Sequence, residues 1–103
     1  MIYELRTYTC YPGTVSKVLE MWEKEGKAML DPYFKMVGQW TTETGTVNQI
    51  ITIWEFKDMN HRQEMRNALL AHPGFLEYLA ECRQYYITQT AEFLSATDLS
   101  PIR

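Results

Sequence analysis

Three tryptophans, two arginines and an asparagine carry most of the chemistry this sequence offers. Trp40, Asn48 and Trp54 come together if residues 37–56 fold as one hairpin, and Trp22 can meet them from a neighbouring helix. Flat aromatic walls with one fixed amide suit a small, partly apolar molecule, because ligand pockets combine apolar lining with a few placed polar groups. The same four residues also serve as ordinary core packing, with Asn48 bonded to a nearby strand or turn. Arg62 and Arg66 lie one helical turn apart and leave the same helix face. They can present a fork to a carboxylate, or pair with Glu4 or Glu55 of the sheet. Glu4, Arg6 and Tyr8 alternate along one strand, and charges on a half-buried strand need partners.

The remaining reactive residue types point away from metals and cofactors. His61 and His72 have no Cys, Asp or second His at ligand spacing, so a metal site is not expected. His72, before Pro73, suits a helix end, where the dipole is negative. Haem needs a histidine aimed into a cavity between sheet and helices, and Thr52 holds the best strand position for it. Cys10 and Cys82 lie far apart without CxxC spacing; they can pair as a disulfide, but the plainer reading is two reduced thiols of a cytoplasmic protein. No GxSxG, P-loop or GxGxxG motif occurs, and Ser16, Ser95 and Ser100 have no visible base beside them. No cofactor is expected.

These residues must be positioned by a short series of elements. Residues 37–56 (VGQWTTETGTVNQIITIWEF) read as a hairpin closed on Glu43-Thr44-Gly45, with Gly45 in the left-handed position. If Thr42 faces Thr46, then Trp40 lies opposite Asn48 and Met36 opposite Thr52. One face then carries Met36, Trp40, Asn48, Ile50, Thr52, Trp54 and Phe56. The other carries Val37, Gln39, Thr41, Val47, Gln49, Ile51 and Ile53. Residues 2–10 alternate as a first strand, stopped by Tyr11-Pro12-Gly13. Thr14 is placed to cap a helix whose stripe is Val15, Val18, Leu19, Trp22, Gly26, Met29 and Leu30, ending at Asp31-Pro32. Gly26 on that stripe would let the helix approach the sheet closely. Asp58 caps a second helix to about Leu70, with Met65, Ala68 and Leu69 inward. After the His72-Pro73-Gly74 break, a short helix turns Phe75, Leu76, Leu79 and Cys82 inward. Residues 85–94 form the last strand, with Ile87, Ala91 and Phe93 on one face against Tyr86, Thr88, Thr90 and Glu92. Residues 1–95 make one domain and 96–103 a tail.

The order βαββαβ predicts an α+β, ferredoxin-like layer: a four-stranded antiparallel sheet of order 4-1-3-2, with both helices on one face. The uncovered face would show Val37, Val47, Ile51 and Ile53, and such apolar patches mark interfaces. A second copy packed sheet to sheet is the simplest cover. Hiding roughly 800 Å² per subunit at ~25 cal/mol per Å² gives many kcal/mol before association costs. A homodimer is therefore expected. The net charge of −3 argues against nucleic acid and anionic membranes. The βαββαβ order also builds RNA-recognition domains, but the third strand, NQIITIWEF, has no Lys/Arg-Gly-aromatic motif. No apolar run has membrane-spanning length, and the first residues enter a strand pattern rather than a signal peptide.

YELRTY at residues 3–8, Pro12-Gly13-Thr14, Trp22, Gly26, VGQWTTETGTVNQ at 37–49 and IWEFKD at 53–58 resemble the NIPSNAP family. So do Arg62, Arg66 and the Pro73 break, and the match runs over about residues 2–94. The resemblance implies a dimeric α/β barrel and brings no agreed catalytic activity. Many members carry His where this chain has Thr52, so chemistry that relies on an imidazole there does not transfer. Other families on this fold include cofactor-independent monooxygenases, which is an analogy of fold and not of site.

Three functional readings follow. In the first, a homodimer binds a small, partly apolar ligand between sheet and helices, at Tyr8, Trp22, Trp40, Asn48, Trp54, Arg62 and Arg66. In the second, Trp40, Asn48, Trp54 and Tyr8 orient an electron-rich substrate for a monooxygenase-like reaction and Arg66 stabilises developing negative charge. The third is a structural protein-interaction module. A cavity of ~300 Å³ or more lined by Trp40 and Asn48 favours the ligand readings, and a filled core favours the module. The sequence leaves catalysis open.

Overall fold

The computed structural model describes residues 1–103. The strands are β1 (Ile2–Cys10), β2 (Lys35–Thr41), β3 (Gln49–Phe56) and β4 (Tyr86–Ser95). The helices are α1 (Val15–Met21), α2 (Lys27–Leu30), α3 (Met59–Leu70) and α4 (Phe75–Arg83). All strand pairs are antiparallel, in the order β2-β3-β1-β4. This is the ferredoxin-like α+β layer that the element order implied. No helix is long and apolar enough to cross a membrane.

Alternation along β3 sends Ile50, Thr52, Trp54 and Phe56 toward the helices, and all four are buried. Phe34 meets Trp54 and Phe56 edge to face, at centroid distances of 5.3 and 5.1 Å, and Leu69 and Phe75 close the cluster from α3 and α4. Burying each such ring contributes roughly 1.5–3 kcal/mol. Asp58 caps α3 as expected, accepting from the His61 N–H at 2.7 Å. Thr14 does not cap α1; its hydroxyl donates to the Tyr11 carbonyl at 2.6 Å, tightening the preceding turn. Between α1 and α2 the helix continues through a π-helical turn, Trp22–Gly26. Gly26 sits against α4 rather than the sheet, since a Cβ there would collide with the Tyr78 hydroxyl. On α4 it is Phe75, Tyr78 and Cys82 that are buried, while Leu76 is exposed.

The hairpin closes differently from the expected register. Thr42 pairs with Gln49 (N···O 3.1 Å), so residues 43–48 form a longer loop, with Gly45 and Asn48 both at positive φ (74° and 64°). Trp40 therefore pairs with Ile51 and Gln39 with Thr52, and Val37 is an extra residue between Met36 and Gly38. A one-residue slip turns every side chain to the other face. Trp40 consequently joins Ile51 and Ile53 on the open face, its ring lying across Gly38, and Gln39 turns inward. A second irregularity, between Thr9 and Cys10, pairs Cys10 with Tyr86 and Thr9 with Thr88. It puts Tyr86 on the helix side with Gln89, Ala91 and Phe93, and leaves Ile87 exposed, the reverse of strict alternation.

Under α3 the fold buries a carboxylate completely. Glu4, 0% exposed, accepts from Arg6 Nε at 2.7 Å and from Arg62 Nε and Nη2 at 3.0 and 3.3 Å. Burial alone would raise the Glu4 pKa. The hydrogen bonds and charges of Arg62 and Arg6 outweigh it and hold the carboxyl below its usual range. Arg62 also lies 5.2 Å over the Phe93 ring. Glu55, the other carboxylate considered for the arginines, instead pairs with Lys35 at 2.7 Å and accepts from the Tyr3 hydroxyl at 3.4 Å.

Two expectations follow. Gly45→Val has open space for its side chain, so its cost is torsional and amounts to about 1–2 kcal/mol. An unchanged melting temperature would mean that the loop does not hold positive φ in solution. Glu4→Gln strands two guanidiniums and lowers stability by about 3–5 kcal/mol at neutral pH. A depressed folded-state pKa gives stability that is complete above the unfolded value and disappears as pH falls through the folded one. Thermal melts of both proteins must therefore converge in acid, below the usual carboxylate range. A gap that stays constant contradicts this account of Glu4.

Candidate functional site

The inner sheet face does not close fully against the helices. A cavity of about 80 Å³ remains, walled mostly by apolar side chains. Its sheet side is built by alternation: Arg6 and Tyr8 from β1, and Ile50, Thr52 and Trp54 from β3. The two strand irregularities add Gln39 and Tyr86, and Gln89 follows on β4. The helical side brings Trp22 from the π-helical turn, 5.7 Å from Trp54 between ring centroids. A π turn is a common device for re-aiming side chains at functional sites. Tyr8 stacks on Tyr86 at 4.7 Å, and Gln39 Nε2 donates to Thr52 Oγ1 at 3.2 Å, which satisfies the buried hydroxyl. Arg66 enters from α3, one residue past Met65.

Of the residues singled out from the sequence, Tyr8, Trp22, Trp54 and Arg66 line this cavity. Trp40 does not; it is 53% exposed on the opposite face. Asn48 does not either, because it belongs to the hairpin loop, where its carbonyl accepts from the Cys10 N–H at 2.8 Å. Arg62 is held by Glu4. Neither the ~300 Å³ nor the Trp40 and Asn48 lining that would favour a ligand is found, but the core is not filled either, and the space left suits something near the size of a single ring. Thr52 lines it too, at the cavity-facing strand position expected for it, while Gln39, Tyr78, Tyr86 and Gln89 are lining residues that the sequence reading missed. A signal for Gln39 existed in Gly38, since an isolated Gly inside a strand marks a bulge.

The polar groups of the lining are unusual for an acidic chain. They include Arg6, Arg66 and Arg83, and no Asp, Glu or His. Arg66 has no carboxylate within ion-pair distance and no hydrogen-bond partner. Burial, then the neighbouring charges of Arg6 and Arg62, lower its pKa, although a guanidinium stays charged at any physiological pH. Burial holds the Tyr78 and Tyr86 phenols well above their usual range, so both remain neutral donors. It likewise raises the Cys10 and Cys82 thiols, which disfavours the thiolate needed for nucleophilic or metal chemistry. No three or more His, Cys, Asp or Glu side chains converge anywhere in the chain. His72, just beyond α3, shares a 3.0 Å hydrogen bond with the Tyr33 hydroxyl. Chemically the site can hold an apolar body and a negative charge.

Comparison with known proteins places this geometry. The NIPSNAP family model matches residues 3–101. The human protein NipSnap homolog 3A is 33% identical over 70 residues, covering 67% of this chain and 28% of that protein. The chain thus spans about a third or less of the curated relatives it matches. A crystal structure of a NIPSNAP-family protein of unknown function from Agrobacterium tumefaciens superposes with a TM-score of 0.94 at 30% identity, covering all of this chain and 94% of that one. SnoaB, a cofactor-independent oxygenase from Streptomyces nogalater, superposes with a TM-score of 0.67 at 17% identity over 97% of this chain and 96% of its own, a likeness of fold alone. With nearly its whole length matched, the chain belongs to the NIPSNAP family.

Proposed function

We propose that the protein is a homodimer that binds a small, partly apolar ligand between sheet and helices. The observation that carries the ligand is the cavity itself: an apolar space with a polar floor, bounded by Trp22, Trp54 and a guanidinium without a partner. Its volume of about 80 Å³ limits the occupant to roughly one ring or a short chain. The dimer is supported by the sheet face away from the helices, where exposed Trp40 and Leu94 flank the half-buried Ile51 and Ile53. Both cysteines are free and buried, which fits a reducing, cytoplasmic setting. An oxygenase reading, by analogy with SnoaB, has less support, because the lining offers no His or carboxylate for a proton transfer. Without an occupant the domain would serve as an interaction module.

Native mass spectrometry of the protein as purified tests the ligand, with a small-molecule adduct lost on denaturation as the expected result. A bare protein whose crystal structure has the cavity filled by side chains would favour the module instead. Light scattering tests the assembly. Wild type is expected to be dimeric at micromolar concentration, and Ile51→Asp, which places an unpartnered carboxylate in the interface, to be monomeric or unfolded. A well-folded, wholly monomeric wild type would overturn the dimer.

A further inference from the structure

The three arginines of the cavity are not equivalent. Arg6 is committed, its Nε donating to Glu4 at 2.7 Å and its Nη1 to the Tyr8 hydroxyl at 3.3 Å. Arg83 stands at the exposed end of α4. Arg62, one turn before Arg66 on α3, is spent on the same Glu4 carboxylate. Around one glutamate the fold has gathered Arg6, Arg62 and Arg66, and only two of them are bound to it. The third is half-buried, faces the cavity, and keeps its full set of donors free. With one Glu4 carboxylate among three guanidiniums, the cluster keeps a local excess of positive charge, which an anion beside Arg66 would offset. Trp22 and Trp54, their rings 5.7 Å apart, line the same cavity as Arg66.

We propose that the natural ligand is a small hydrophobic monocarboxylate, its carboxylate bound in the fork of Arg66 and its hydrocarbon body against Trp22 and Trp54. This rests on the ligand reading above and names the chemical class of the occupant. One free planar fork matches the two oxygens of a carboxylate. A phosphoryl group presents three oxygens and up to two charges to that single fork, and its bulk leaves little of the space for a body. The Gln39 and Gln89 amides and the Tyr86 phenol, a neutral donor, complete a lining that contains no repelling charge.

Calorimetric titration of the full chain with phenylacetate, benzoate and hexanoate, each beside its primary amide and beside inorganic phosphate, tests the class. At least one acid is expected to bind about ten-fold or more tightly than its amide, and phosphate weakly. Arg66→Met, which keeps the apolar stem, is expected to erase that preference by weakening the acid and not the amide; Arg66→Lys restores part of it. If Arg66→Met does not fold, wild type decides alone. An acid preference that weakens with added salt supports the proposal, and a salt-independent preference overturns it. Acid and amide binding equally, or losing affinity equally in Arg66→Met, overturns the carboxylate while cavity binding stands. Phosphate binding as tightly as the best acid also overturns it. Failure of every probe on wild type overturns both the class and the cavity reading.

Discussion

The structure depends on where one buried carboxylate finds its partners. Glu4 lies at the centre of the sheet with no solvent exposure, and it is held by a guanidinium of its own strand and another from α3. Such a cluster adds little net stability over a well-packed apolar equivalent, because desolvating three charges offsets most of their attraction. Its effect is positional. Arg62 can reach both Glu4 oxygens only if α3 crosses the sheet at one height and one rotation, and that rotation carries Arg66 to the cavity. The ion cluster and the free arginine are consequences of the same helix placement.

A second constraint is the pair of strand irregularities. The extra residue at Val37 turns Gln39 inward and Trp40 outward, and the shift near Cys10 turns Tyr86 inward beside Tyr8. Each changes the composition of both sheet faces at once. The cavity gains an amide and a phenol, while the open face gains one of the hairpin's two tryptophans. The composition of the inner surface and that of the outer one therefore arise from the same local departures from regular pairing.

Much of the fold was legible in the sequence, and the reasons are specific. The stripe from Val15 to Leu30, the Asp58 cap and the alternation in β3 are signals of period and capping that tertiary packing did not override. Tyr8, Trp22, Trp54 and Arg66 could be placed because each lies on an element of unambiguous phase. Trp40 and Asn48 were misplaced because the phase of β2 depends on how its loop closes, and Gly45 supports a three-residue turn and a longer loop alike. Gly38 carried the one hint of the bulge. Nothing in the run Tyr85-Tyr86-Ile87-Thr88 announces the second irregularity, since every residue there suits a strand on either face.

The central claim is that three guanidiniums share the neighbourhood of one carboxylate and only one is left for a ligand. The ¹H–¹⁵N spectrum of the arginine Nε–Hε groups tests it directly. Arg6 and Arg62, bonded to Glu4 and mostly buried, should exchange slowly with water and remain unmoved when phenylacetate is added. Arg66 should exchange fast in the free protein, then shift and become protected as the acid binds. An Arg66 signal already protected in the free protein, or a shift of Arg62 in its place, would contradict the account.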